Sequence, residues 1–299
     1  MADSNWLSSF PEMERSDLRA IKKALDGAYR EFSREYGETI ESLFDPLLSF
    51  LVWFEKLLIS TPWLIVLGVC TGLVYAASRS WKLALGCVAS LLLIGYFGMW
   101  EDTMRTLSII TVCTLVSILL GIPIGIAMAR SNRAQSIVTP LLDIMQTMPA
   151  FVYLIPVVML LGIGKIPGLI AVVIYAIPPV IRLTNLGIRL VDKEVLEAAT
   201  AFGASKKQRL WGVQLPLAMP TIMAGINQTI MMALSMVVIA SMIGVKGLGQ
   251  PVLKSITNQY FTLGLMNGFA IVALAILFDR ASQAYARRTN AHLGGFKHD

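Results

Sequence analysis

The sequence predicts an all-α integral membrane protein of about seven transmembrane helices, with one cytoplasmic polar loop and an external N-terminal amphipathic segment. Three observations carry this prediction. First, 56% of the 299 residues are hydrophobic and only 15% are charged, with a mean hydropathy of +0.67. Second, several runs reach the roughly 18–20 apolar residues that cross a bilayer. Third, charge is segregated: residues 1–60 hold eleven acids and seven bases, residues 61–299 eight acids and eighteen bases. A basic excess confined to loops between apolar runs is what the positive-inside rule produces, so the formal charge of +6 is no nucleic-acid footprint.

Residues 1–60 read as a polar tail followed by an interfacial helix, and 61–299 as the membrane domain. In the tail, Leu18, Ile21, Leu25, Tyr29, Phe32 and Tyr36 recur at helical spacing, and Asp45-Pro46 is expected to close that helix. Leu47 to Ser60 is apolar but short and carries Glu55 and Lys56, which suits a helix lying at the interface. The first 40 residues are polar, so no cleavable signal peptide is expected.

Seven spans are expected at 62–78, 83–100, 106–129, 137–162, 167–187, 217–243 and 262–279. One set of connections holds Arg79 and Lys82, Arg130 and Arg133, the stretch from Arg189 to Arg209, and the C-terminal Arg280, Arg287, Arg288 and Lys297. The other holds only Arg105, Lys165, Lys246 and Lys254. That asymmetry puts the C-terminus in the cytoplasm and, with seven spans, the N-terminus outside. In the third span Gly121 and Gly125 form a small-xxx-small pattern, either a close helix crossing or ordinary glycine usage. In the fourth, Pro140 and Pro149 bracket a short segment that should break from the membrane helix proper. Asp143 lies there, either clamped to Arg130, Arg133 or Arg182 or belonging to a gate. Pro178-Pro179 should kink the fifth span, and Arg182 can snorkel.

Asn227, Gln228 and Ser235 fall near the middle of the sixth span among Met219, Met223, Met231, Met232, Met236 and Met242. Mid-membrane amides need partners, which are either another helix or water in a pathway. Gln146 and Tyr153, flanking Pro149, complete the set of candidate path residues. After this span, Val252, Leu253, Ile256 and Tyr260 line one side of an amphipathic external segment, suited to a gate or an external partner. Cys70, Cys87 and Cys113 all fall in apolar runs, without metal spacing, and read as packing residues.

The polar loop spans 189–216, and from Asp192 to Pro216 it carries seven charged side chains. Asp192 suits an N-cap, Gly203 the left-handed position that ends a first short helix, and Ser205 the cap of a second. Leu215-Pro216 marks entry to the next span. Each helix is shorter than the roughly 12–15 residues that hold alone in water, so the loop needs a docking surface. No Walker A pattern, H-E-x-x-H, G-x-S-x-G or Cys/His cluster occurs, and no paired mid-membrane acids suggest ion coupling. Uphill transport would therefore draw its energy from another subunit.

Glu197-Ala198-Ala199, then Gly203, then Val213-Gln214-Leu215-Pro216, resembles the EAA loop of permease subunits of ABC-type importers, with Val213 where the family pattern has isoleucine. PLLDIMQTMPAFVYLIPVVMLLGIG from Pro140 and the text from Phe202 to Gly244 resemble the permeases of glycine betaine/proline betaine importers, and the likeness covers about 45–285. The resemblance implies a second copy of the permease, two cytoplasmic ATPases that carry ATP and magnesium, and an external substrate-binding protein, all at the inner membrane. This chain then needs no cofactor, is no enzyme and binds no nucleic acid. The resemblance further implies that Glu197, Ala198, Ala199, Gly203 and Pro216 couple the loop to an ATPase groove. Glu197 would accept hydrogen bonds between the two short helices, while Lys206, Lys207 and Arg209 form a solvated or lipid-facing basic edge rather than specific contacts. Importers of choline, carnitine or an amino acid such as histidine remain alternatives, as does a passive osmotic channel.

Overall fold

The computed structural model describes residues 12–293 of the chain, with side chains through 288. The described residues are helical throughout, with no strand among them. Four helical stretches are long and apolar enough to cross a membrane, and two bent pairs bring the number to as many as six.

Helix α1 (Arg15–Ser60) is one continuous helix that passes through Pro46, where the sequence suggested a break and a separate interfacial helix. A proline inside a helix costs on the order of 3 kcal/mol. Here the carbonyl freed four residues earlier belongs to exposed Ser42. Beyond the proline, Leu47, Leu51 and Phe54 join the central core, which holds the two halves in line. The next helices are α2 (Trp63–Ser78), bent 113° from α1, and α3 (Trp81–Tyr96), which is apolar but only 16 residues long.

Helix α4 (Trp100–Arg130) carries Glu101 and Asp102 in its first turn and Arg130 in its last, each complementing the helix dipole. Helix α5 (Asn132–Thr147) is capped by Ser131 and runs straight through Pro140. The expected break comes at Pro149, where a bend of 113° and a 3₁₀ turn (Ala150–Tyr153) lead into α6 (Leu154–Leu161). Helices α7 (Lys165–Ala176) and α8 (Pro178–Arg189) form one 25-residue span, 72% of it buried. Its hydrogen-bond ladder is interrupted at Pro178-Pro179, which have no N–H to give. The outermost span belongs to α13 (Phe261–Leu293), only 17% buried.

The centre of the molecule is α8, sandwiched between α4 and α11 (Leu215–Ala240). A Cβ on Gly125 of α4 would lie 2.7 Å from the Ile181 carbonyl oxygen and 2.6 Å from Thr184 Cβ. On the other side, a Cβ on Gly225 of α11 would lie 3.2 Å from the Pro179 oxygen, and one on Gly187 of α8 would lie 2.9 Å from Thr221 Cβ. Gly121 meets Val180 in the same way. The small-xxx-small pattern is therefore a close helix crossing, which settles the alternative left open by the sequence.

Polar ties hold the periphery. At one end of the bundle Glu55, 8% exposed, accepts from Lys165 Nζ at 2.6 Å and lies 3.7 Å from Arg105 Nε. At the other end Asp143 pairs with Arg182, the clamp reading of that acid, and Arg189 donates to the Met128 carbonyl at 2.8 Å and to Asn132 at 3.0 Å. Between α11 and α13, Asn227 Nδ2 donates to Asp279 Oδ1 at 2.9 Å, and Ser282 Oγ donates to Asn227 Oδ1 at 2.5 Å.

Three substitutions test these contacts by thermal inactivation in detergent. Gly125→Val should cost about 1–3 kcal/mol by overpacking, whereas Gly68→Ala, inside a helix and facing open space, should not lower the midpoint. Asn227→Leu removes the donor to Asp279, which keeps only Gln283, and the acceptor of Ser282, and should cost about 1–3 kcal/mol. Wild-type midpoints for Gly125→Val and Asn227→Leu would contradict the contacts described.

Candidate functional site

The polar loop is built by local capping. Helix α9 (Lys193–Ala201) starts at Asp192, whose carboxylate accepts from Glu194 N at 2.9 Å. It ends in a Schellman arrangement: Gly203 N–H donates to Thr200 O at 2.9 Å and Ala204 N–H to Ala199 O at 3.0 Å. Gly203 sits at φ +80°, a conformation open to glycine and costly for a residue with a Cβ. Ser205 and Gln208 then form a reciprocal capping box at 3.3 and 2.8 Å, opening α10 (Lys206–Arg209).

The second helix of the loop does not stop, contrary to the expectation of two short helices. Helix α10 passes through a π-helical turn (Leu210–Gln214) directly into α11, giving one helical stretch from Lys206 to Ile243. The wider turn changes the hydrogen-bond register just before Pro216, whose ring and missing N–H would otherwise disturb the ladder. The clasp between the two arms is Arg209 Nη1 to Thr200 Oγ1 at 2.7 Å. Glu197 has no hydrogen-bond partner among the described residues, so it does not make the link expected of it. Arg209 does, and it is no mere solvated edge.

Glu197, Ala198 and Gly203 are exposed, and Ala199 is half-buried. Phe202, at the tip, is 93% exposed. Beside it Lys193, Leu196, Glu197, Thr200, Ala201 and Arg209 enclose an open depression of about 430 Å³. An aromatic ring held out on a doubly capped loop next to a concavity is a surface shaped for a partner.

The candidate path residues separate into two groups. Asn227 has both ends of its amide engaged in the tie to α13, and Tyr153 is buried, donating to the Met145 carbonyl and meeting the Tyr175 ring edge-on at 5.7 Å. Gln146 is exposed on α5. Gln228 and Ser235 are exposed on α11, with Ala224 and Met242 on the same face at spacings of four and seven residues. Ser235 satisfies itself by donating to Met231 O at 3.0 Å, but Gln228 makes no hydrogen bond among the described residues. The methionines do not form a common lining, since Met223 and Met236 are buried in the core.

The segment after α11, expected from the sequence to be external, is fixed to the bundle: Leu248 N–H donates to Thr106 Oγ1 of α4 at 2.9 Å. It leads into α12 (Gly249–Asn258), and just there Ile256 and Tyr260 are left exposed. Phe202's protrusion, the Thr200–Arg209 clasp and the run of α10 into α11 escaped sequence reasoning. A hydrophobic residue directly before the Gly203 C-cap was the only available signal.

Residues 121–291 match the model of the family described as binding-protein-dependent transport system inner membrane component. The chain is 49% identical over 239 residues to the glycine betaine/proline betaine transport system permease protein ProW of Escherichia coli (strain K12), covering 78% of this chain and 66% of that one. It is 48% identical over 232 residues to the glycine betaine/carnitine transport permease protein GbuB of Listeria monocytogenes serotype 1/2a (strain 10403S), covering 77% of this chain and 82% of that one. It thus spans slightly under two thirds of the length of ProW. A solved inward-facing structure of the MetNI methionine ABC transporter shares the fold, with a TM-score of 0.57 at 20% identity over 62% of this chain and 93% of that one. With a family match across the polar loop and the central helices, the chain belongs to the family of binding-protein-dependent transport system inner membrane components.

Proposed function

We propose that this chain is the membrane-spanning permease subunit of an ATP-driven importer for small quaternary ammonium osmoprotectants such as glycine betaine and proline betaine. The observation that carries the reading is the doubly capped loop, which presents Phe202 outward and runs without interruption into the central helix α11. The names of the relatives supply the substrate class. ATP hydrolysis belongs to two separate ATPase subunits, which grip Glu197, Ala198, Ala199, Phe202 and Gly203. A second copy of the chain and an external binding protein complete the assembly.

Arg105 and Lys165 share one end of the bundle through Glu55, while Arg130, Arg182 and Arg189 cluster at the other. This supports a cytoplasmic face at the arginine-rich end, with the polar loop and the C-terminus there. Tyr29 and Ser33 of α1 reach the Pro156 and Leu160 carbonyls of α6, the helix that ends just before Lys165. That supports an N-terminus outside.

In the cycle, ATP-driven closure of the partner pushes on the tip of the loop. Because α10 continues into α11, the push tilts α11, and the glycine contacts pass it to α8 and α4. Gln228 lies on the exposed face of α11 and needs a polar partner that hydrocarbon cannot give. Water, or solute passing between two copies, provides it. Substrate selection rests with the binding protein.

Reconstitution with the ATPase and binding protein tests the reading through ATP-dependent uptake of labelled betaine in competition with choline and histidine. Betaine uptake should require ATP and resist competition by histidine; ATP-independent conductance would identify a passive channel instead. In the same vesicles Gly203→Val should cut uptake at least tenfold with normal insertion, because a β-branched residue strains the left-handed turn. Undiminished uptake would remove the loop from the mechanism.

A further inference from the structure

Outside the loop and the α11 face lies a groove of about 700 Å³ walled by α1, α2, α3, α4 and α13, with Phe54, Leu58, Val66, Val74, Leu91 and Leu277 among its lining. The geometry points to a binding site for one anionic phospholipid, with an acyl chain in this groove and its phosphate against Arg288 and Arg79.

Shape and polarity choose the apolar part. The wall from Ile65 to Ala77 of α2 is about 18 Å long at the helical rise, close to one leaflet's roughly 15 Å share of the hydrocarbon core. Spread over that length, the volume makes a long, slim slot suited to an extended hydrocarbon chain. Water gains nothing in so apolar a slot, and vacancy would forfeit the dispersion contacts of its walls. A flexible hydrocarbon chain fills it without either cost.

Charge chooses the head group. Arg288 Nη1 donates to the carbonyl of Ala76, next to Ala77 at the end of the groove, which places its guanidinium at that mouth. Arg79 follows two residues beyond Ala77 and is exposed, as is Arg280 beside the lining residue Ala281. Among the described residues none of these three arginines is in a salt bridge. The nearest acid in sequence, Asp279, already accepts from Asn227 and Gln283. At the opposite mouth, near Thr61, Lys56 and Arg105 are accompanied by the acids Glu55, Glu101 and Asp102, which leave no net positive charge there. Cations therefore crowd one end only, and a basic pocket at the rim of transmembrane helices suits a phosphodiester without a compensating ammonium. The inference needs only that the chain spans a membrane and is independent of the transported solute.

The test is native mass spectrometry of the full chain, released from mixed micelles of phosphatidylglycerol and phosphatidylcholine in equal amounts. Wild type should retain one phosphatidylglycerol in preference to phosphatidylcholine by roughly tenfold or more. Arg79→Gln with Arg288→Gln should bring the preference near parity while the chain stays monodisperse. Val74→Trp, which fills the groove, should lose both lipids. Parity in wild type, which involves no variant, would overturn the assignment. So would an unchanged preference in the double variant, lipid retained by Val74→Trp, or a bound protein chain in place of lipid.

Discussion

Helix α8 can lie between α4 and α11 only because Gly121, Gly125, Gly187 and Gly225 remove the side chains that would hold the three backbones apart. In a membrane there is little hydrophobic force between helices, so close van der Waals packing must supply the adhesion. The glycines allow it, and everything else in the bundle is placed relative to this triple contact. Helix α7 extends it toward Glu55 and Lys165, and α13 leans on α11 through Asn227, Asp279 and Ser282. A packed contact of this kind has few intermediate positions, so it transmits displacement rather than absorbing it.

The same contact explains why a loop of modest size can matter to distant spans. Helix α9 is joined to α10 by the Gly203 turn and the Thr200–Arg209 bond, and α10 is the first turn of α11. In the proposed mechanism force applied at Phe202 therefore meets no flexible joint before it reaches the glycine-packed centre. The loop shifts from a docking knob to the handle of a lever whose shaft is α11.

The fold was legible in the sequence wherever its causes are local. Apolar run length located the spans of α4, α7–α8, α11 and α13, though not a count of seven, and Asp192, Gly203 and Ser205 located the loop's caps, because each acts on backbone groups within a few residues. What escaped has non-local causes. Glu55 finds Lys165 at a separation of 110 residues, and Asn227 finds Asp279 at 52. Neither partner could be named from periodicity. Pro46 was read by its local cost, whereas Leu47, Leu51 and Phe54 of the following turns bury themselves and outweigh it. Of the path candidates, burial separates Tyr153 and Asn227, held in packing, from Gln228, which faces outward on α11; their residue types alone do not.

The most direct test of the lever is distance measurement by pulsed electron spin resonance in the reconstituted complex, with labels at Val195, Leu217 and Tyr75, all exposed, and the three native cysteines replaced. The account predicts that the Val195–Leu217 distance, within the lever, stays the same when ATP is added, while the distances from both to Tyr75 change together. A Val195–Leu217 distance that shifts with ATP while Leu217–Tyr75 stays constant would contradict it, since the loop would then move without carrying α11.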